Sequence, residues 1–236
     1  MSARPNSICL FGDFMVRNRH NRDITYLFTT RQRQIFCLVL QNSFEDGISS
    51  QRLSTLLWPD KPEDKVKNSR GVTINHLRKT LSELDDVELV YSKGCFRLVQ
   101  GPAFYCDYTR CMEIISAEQI GENRGELVQL LSRGKFLKHD DQPLFDSFKE
   151  EVERTLEPVL QIEMEKCFAE EDYGTTLALA EAVFCIDPLN DQALAYLVRS
   201  LNRLKRNEEA RSRYQAFVLE YKKTFGAEYP YPFRNL

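Results

Sequence analysis

The stretch NSRGVTINHLRKTL, Asn68–Leu81, mixes hydrogen-bonding and cationic side chains with a regular apolar spacing. Placed on a helix at 100° per residue, it separates into two arcs. The arc expected to pack on a core holds Val66, Arg70, Thr73, Ile74, Leu77 and Leu81. The opposite arc holds Asn68, Gly71, Val72, Asn75, His76, Arg78 and Lys79. The outer face therefore offers donors and cations around one small and one methyl-bearing residue.

These side chains suit contact with the edges of DNA bases. Asn75 can bond adenine N6 and N7 together, and Arg78 can bond guanine O6 and N7 or a phosphate. Val72 can lie against a thymine methyl, and Gly71 allows close approach of the backbone. The alternative is a polar face that only contacts water. If Asn75 does not read a base, His76 and Arg78 are the next candidates.

Other residues around this stretch are expected to contact the DNA backbone. Lys67 and Lys79 would meet phosphates, which orient a helix without reading sequence. Lys93 and Arg97, in a hairpin that follows, suit phosphate or minor-groove contact. Two earlier helix starts would place N–H groups and cations beside a phosphate. Their residues are Thr30, Arg31, Ser50 and Arg52.

The elements that must position these residues follow in a recognisable order. SICLFGDFMV and ITYLF read as short strands around turn residues. Thr29 or Thr30 can cap a buried helix, RQRQIFCLVLQNS, and Ser49 or Ser50 can cap QRLSTLLW. A long helix is predicted from about residue 63 to about 84, and a hairpin from about 87 to 99. Two helices of a helix-turn-helix followed by a β wing make a winged helix.

From Asp107 onward the sequence predicts helices, with Pro158 expected to kink or break one of them. Apolar and small positions recur at an offset of 34 residues, as in Leu160 and Leu194, with Asp187 expected to cap the second unit. This period favours paired helices stacked as in a tetratricopeptide array; a plain helical bundle is the alternative. The predicted fold is mainly α with a small β component: a winged helix-turn-helix domain over 1–102 and a helical-repeat domain over 103–236.

Charge and cysteine content narrow the function classes. Residues 1–100 contain 15 Lys/Arg and 11 Asp/Glu, a net +4, and the remainder contains 17 and 24, a net −7. A basic first part is expected where one domain faces an anionic polymer. The seven cysteines lack C-x-x-C spacing and are interpreted as reduced thiols. No phosphate loop, metal-ligand spacing or catalytic motif occurs in the sequence, so we expect no cofactor, no metal and no enzyme activity.

Four stretches carry a resemblance to a known family. SSQRLSTLLWPD, NSRGVTINHLRKTL and LVYSKGCFRLV resemble the winged-helix effector domain of the OmpR/PhoB type. The run from DYGTTLALAEAVFCIDPLNDQAL to EYKKTFG resembles the bacterial transcriptional activator domain. Both in this order are similar to the SARP family of bacterial transcriptional regulators. That family commonly has an apolar residue at Arg70 and a longer side chain at Gly71, so no operator preference is carried over.

The sequence therefore predicts a sequence-specific DNA-binding transcriptional regulator. Its expected partner is double-stranded DNA. The helical part would contact RNA polymerase, a sensor domain or protein, or a second copy of the chain. The start of the sequence lacks the apolar run of a signal peptide and no membrane span is visible, so a cytoplasmic location without membrane contact is expected. The rival hypothesis is a helical-repeat interaction scaffold whose winged helix does not bind DNA.

Overall fold

The computed structural model describes residues 5–236. Residues 1–4, which belong to the stretch used above to judge a signal peptide, lie outside the described residues. The first elements match the expected order of strands, two helices, a long helix and a hairpin. They are β1 (Ser7–Cys9), β2 (Met15–Arg17), α1 (Thr30–Gln41), β3 (Ile48–Ser49), α2 (Ser50–Leu57), α3 (Glu63–Leu81), β4 (Val87–Ser92), β5 (Cys95–Gln100) and β6 (Tyr105–Cys106).

Side-chain caps fix the starts of the first two helices. Thr29 accepts a hydrogen bond from the backbone N–H of Gln32, whose side chain in turn accepts from the N–H of Thr29. This capping box satisfies two N–H groups that a helix start leaves unpaired. Ser49 accepts from the N–H of Arg52 in the same manner. The caps are thus the first member of each predicted pair, and Thr30 and Ser50 are the first helical residues.

The wing is a three-stranded sheet in the order β3-β5-β4, antiparallel throughout. Ser92 pairs with Cys95, so Lys93 and Gly94 alone form the turn, with φ angles of 50° and 85°. Two successive positive φ angles are typical of the tight hairpin turn whose twist matches the strands. Gly47 has a φ of 87°, and a Cβ there would lie 2.5 Å from the carbonyl oxygen of Phe96. Only glycine therefore lets β3 approach β5.

A second sheet, in the order β2-β1-β6, precedes the helical part. Both carboxylate oxygens of the buried Asp107 accept backbone N–H groups, from Leu10 at 2.7 Å and from Phe11 at 3.1 Å. The expectation that ITYLF is a strand was wrong. Residues Thr25–Leu27 form a single 3₁₀ turn, and only Arg17 and Asp23 make an isolated bridge.

The remaining elements are helical, which confirms the predicted fold class of a small β component and a helical second part. They are α4 (Asp107–Ser116), α5 (Ile120–Leu131), α6 (Asp146–Ala169), α7 (Tyr173–Ile186), α8 (Asp191–Arg203) and α9 (Asn207–Phe225). The helix α6 continues through Pro158, so of the two expected outcomes the break does not occur and the kink stays a prediction. The cap of α8 is Asn190, which accepts from the N–H of Ala193, and not Asp187. Asp187 instead ends α7.

Burial follows the 34-residue period in part, since Tyr214, 34 residues after the buried Ala180, is only half-buried. Leu160 and Leu194 are both buried, as are Thr176 and Ala210. Small residues at the second pair of positions let neighbouring helices approach, which suits stacked helix pairs. The seven cysteines are free thiols, five of them buried. Burial raises the pKa of Cys106 to about 12, so this thiol behaves as a small apolar group.

The chain divides into two compact units. One contains the residues up to Arg110 together with His139–Phe148, and the other contains Cys111–Lys138 with Lys149–Leu236. The domain bounds predicted from the sequence, residues 1–102 and residues 103–236, stay a prediction. Among the described residues, no helix combines the length and the apolar character needed to cross a membrane.

Candidate nucleic-acid interface

The orientation of α3 agrees with the two arcs read from the sequence. Val66, Ile74, Leu77 and Leu81 are buried, and Leu77 is completely inaccessible. Every member of the opposite arc is exposed, including Val72 at 56%. An exposed valine between polar residues gains nothing from contact with water, but it can pack against a methyl group. The helix thus keeps its apolar stripe inside and its donors outside.

The outward side chains form a straight strip along α3. Asn68, Val72, Asn75 and Lys79 are spaced by four, three and four residues, which places them nearly in line. At 1.5 Å per residue the strip is ~16 Å long. Gly71, His76 and Arg78 flank it. A helix presenting such a strip fits the major groove of B-DNA, which is about 12 Å wide.

Two arginines of α3 hold the helix to its neighbours. Arg70 donates from Nη1 to the carbonyl oxygen of Ser50 at 2.9 Å and to Oγ of Ser54 at 2.6 Å. Arg70 therefore joins α3 to α2 by hydrogen bonds, rather than only packing its aliphatic part on the core. Arg78 donates from Nε to the carbonyl oxygen of Leu89 at 3.0 Å. This bond joins the end of α3 to the first strand of the wing.

The wing and the start of α2 lie next to each other. The N–H of Ser50 donates to the carbonyl oxygen of Gly94 at 3.0 Å, so Lys93 projects beside the first turn of α2. Arg97 is exposed on β5, and Arg52 is exposed on α2. An open cleft between α2 and α3 is lined in part by Ser50, Lys67 and Arg70.

The start of α1 stands apart from that group. Arg31 donates from Nη1 to the carbonyl oxygen of Leu57 at 2.8 Å, and its guanidinium lies 5.3 Å from the ring centre of Trp58. Arg31 is thus at the opposite end of α2 from Ser50. Thr30 is exposed beside it. Trp58 is buried, so it is a packing residue.

The charge on this surface is mainly positive and not internally neutralised. Lys67, Lys79 and Lys93 are exposed, and within residues 5–236 none of them forms an ion pair. The acidic residues of α3, Glu63 and Asp64, are confined to its first turn, where they stabilise the helix dipole. Cations are therefore spread along α3, from Lys67 in its first half to Lys79 in its last turn.

Two features of this interface were missed from the sequence. Arg70 was placed on the core arc, and the polar Ser50 and Ser54 on the facing helix were the signal for a hydrogen-bonded link. Tyr91 is 53% exposed near the wing turn, with its ring 4.7 Å from that of Phe96. Its strand position, two residues after the buried Leu89, signals an aromatic side chain at the outer end of the wing.

Comparison with known proteins finds a similarity in structure but no match in sequence. No protein-family model matches the chain, and no curated protein matches it in sequence. Among solved structures, it is similar to EmbR of Mycobacterium tuberculosis, a SARP-family regulator, in a complex with a low-affinity phosphopeptide. The TM-score is 0.63 at 18% identity, over 96% of this chain and 62% of that chain. The likeness shows the fold: a winged helix and a helical part in the order found in a SARP-family regulator.

Proposed function

We propose that the chain is a sequence-specific DNA-binding transcriptional regulator. The observation that carries this proposal is the exposed strip of Asn68, Val72, Asn75 and Lys79 on a helix whose other side is packed. In this arrangement α3 enters the major groove, and the turn at Lys93 contacts the DNA backbone or the minor groove. The proposed DNA contacts are the fourteen residues predicted from the sequence, from Thr30 to Arg97.

We assign different roles to the arginines of that set and to Arg70, which lies beside it. Arg70 and Arg78 have partners on α2 and β4, so they fix the angle at which α3 is presented. Arg78 contacts DNA through its remaining guanidinium nitrogens. Arg31 is held at the far end of α2 and reaches only a flanking phosphate.

The SARP-like fold supports a regulatory role, and a non-enzymatic one, in the cytoplasm. The helical unit would then contact RNA polymerase, a sensor protein or a second copy. The phosphopeptide in the EmbR complex is a ligand of that protein, and this chain spans 62% of it.

The test is selection of genomic fragments with purified protein, followed by binding measurements at increasing salt. With ~4–6 phosphate contacts per protomer, log K should fall against log salt with a slope of about −4 to −5. Random duplexes of the same length serve as the control for nonspecific binding. The absence of duplex binding at low salt with every selected fragment would contradict the proposal and favour the interaction scaffold.

A further inference from the structure

The residues after α9 fold back onto the last two helices. Gly226 ends α9 with a φ of 67°, and residues 227–236, here named the clasp, follow it with the sequence AEYPYPFRNL. Pro232 has φ −70° and ψ 150°, which is the extended polyproline conformation. One 3₁₀ turn, Phe233–Asn235, closes the segment. The clasp is therefore an extended peptide and not another helix of the repeat.

Aromatic rings hold the clasp to α9. The ring centre of Tyr229 lies 5.1 Å from that of Phe217 and 5.1 Å from that of Tyr221, both in edge-to-face geometry. Phe233 packs on Tyr214 at 5.4 Å in the same geometry. Tyr229 is only 8% exposed, so it is the anchor of the segment.

Polar contacts to the clasp reach its backbone. Tyr214 donates its hydroxyl to the carbonyl oxygen of Tyr231 at 2.8 Å. Arg199 of α8 donates from Nε to the carbonyl oxygen of Leu236 at 2.9 Å. Proline-rich peptides in the extended conformation bind to grooves lined with aromatic residues, and here two hydrogen bonds to main-chain oxygens of the clasp add to the ring contacts. Such contacts recognise an extended backbone, whichever chain supplies it.

Apolar surface continues beyond the clasp. Tyr231 is 52% exposed, and Phe225 of α9, whose ring lies 4.7 Å from that of Tyr221, is 60% exposed. We propose that α8 and α9 form a docking groove for an extended partner peptide in which aromatic residues alternate with proline, and that the clasp occupies this groove in cis. The partner must displace residues 229–233 to bind. This inference concerns the helical unit and does not depend on DNA binding.

The clasp belongs to the same chain as the groove, and this covalent connection determines how strongly it competes with a partner peptide. A segment joined directly to its groove has an effective concentration on the order of mM. A partner peptide of the same intrinsic affinity, with a Kd of about 0.1 mM or tighter for the open groove, should therefore bind the intact chain at least about tenfold more weakly than a chain whose groove is open. This difference is the property to measure.

The experiment uses a labelled synthetic peptide, AEYPYPFRNL, and fluorescence anisotropy. A chain ending at Gly226 should bind it saturably. The same peptide with Tyr229→Ala and Phe233→Ala should bind at least about tenfold more weakly, and so should the unaltered peptide on the intact chain. Equal affinity for the intact and the open chain would overturn the proposal, because the peptide would then bind elsewhere.

A second variant with an open groove keeps the test valid if the shortened chain does not fold. The full-length chain with Tyr229→Ala and Phe233→Ala keeps its length but loses both anchor rings, and it should bind the unaltered peptide as the shortened chain does. Circular dichroism and thermal melting report the folding of both forms. If both fold and neither binds the peptide, the groove is not a peptide site. If neither folds, the clasp is part of the core and the proposal also fails.

Discussion

Two helices of equal length, α3 and α9, show how little local signals say about function. Each has 19 residues and lacks a side-chain cap at its start. Each has two acidic residues in its first turn and two basic residues in its last, a distribution that stabilises the helix dipole. By these signals the two helices are the same.

They differ in what their accessible sides offer. Both helices expose amide and cationic groups, but α9 in addition presents the rings of Tyr214, Tyr221 and Phe225, whereas the one ring of α3 is the imidazole of His76. Hydrogen-bonding groups can read base edges, whereas edge-to-face rings bind other rings. This difference is the basis for proposing a nucleic acid as the partner of α3 and a peptide as the partner of α9. Substitutions on each helix can break or sharpen this division.

The largest expected effect is a loss of stability on substitution of a residue on the packed side of α3. Leu77→Ala removes a side chain with no exposure and should lower the free energy of unfolding by ~2–5 kcal/mol. Leu219→Ala on α9, where the leucine is 69% exposed, should change it by less than ~0.5 kcal/mol. Urea denaturation measures both. Similar losses for the two variants would mean that α9 is packed as closely as α3.

Orientation and order were predictable because they depend on periodicity and turn residues. The apolar residues Val66, Ile74 and Leu77 fix the face of α3, and the Lys93–Gly94 turn fixes the wing. The error at ITYLF has a physical cause: an apolar run of five residues satisfies a strand or a turn equally, and tertiary contacts decide. Likewise, Pro158 lies within a helix whose other bonds and packing outweigh the one bond it removes.

The candidate site was less predictable than the fold. Exposure of the α3 strip follows from periodicity, but the bonds of Arg70 to Ser50 and of Arg78 to Leu89 join residues 20 and 11 positions apart. Such pairs depend on how helices and strands meet, which the spacing within one helix does not encode. The clasp also escaped prediction, since an aromatic, proline-rich segment carries no helical or strand period.

A smaller effect should separate base reading from phosphate contact within α3. Asn75→Ala should cost ~1–3 kcal/mol of binding on the best site and much less on random DNA, because its amide both donates and accepts. Lys79→Ala should weaken both equally and make the salt slope shallower by about one unit. Neither should lower stability by more than ~0.5 kcal/mol, since both side chains are exposed.

Competition binding at several salt concentrations distinguishes the two variants. If Asn75→Ala unfolds the protein while Leu77→Ala does not, α3 is rotated from the orientation described. If Asn75→Ala leaves site preference unchanged, base reading belongs to His76 or Arg78.

A substitution at Gly71 tests whether the small residue on α3 is needed for DNA binding. A Cβ at Gly71 would meet nothing within 4 Å, so Gly71→Ala should stabilise the helix by ~0.5–1 kcal/mol. The added methyl should still weaken specific DNA binding about tenfold, or ~1.4 kcal/mol, where the backbone approaches the bases.

The exposed Ala216 of α9 offers the reverse substitution as a control. Ala216→Gly should lose a similar amount of stability and leave DNA binding unchanged. Thermal melts and gel shifts provide both readouts. A stabilised Gly71→Ala variant with undiminished DNA binding would remove Gly71 from the interface.

The smallest expected effect concerns the turn of the wing. Lys93 has a φ of 50°, a conformation that asparagine adopts more readily than lysine. Lys93→Asn therefore removes the charge while keeping the turn, and stability should change by less than ~0.5 kcal/mol. Loss of one phosphate contact should make the salt slope shallower by about one unit, equally on specific and random DNA.

Lys205, before α9, also has a positive φ, of 62°, and Lys205→Asn is the matched control. Its salt slope should equal that of the unaltered chain, because the partner proposed for α9 is a peptide. If the two lysines change the slope alike, DNA reaches both units; if neither does, the wing does not contact the phosphates.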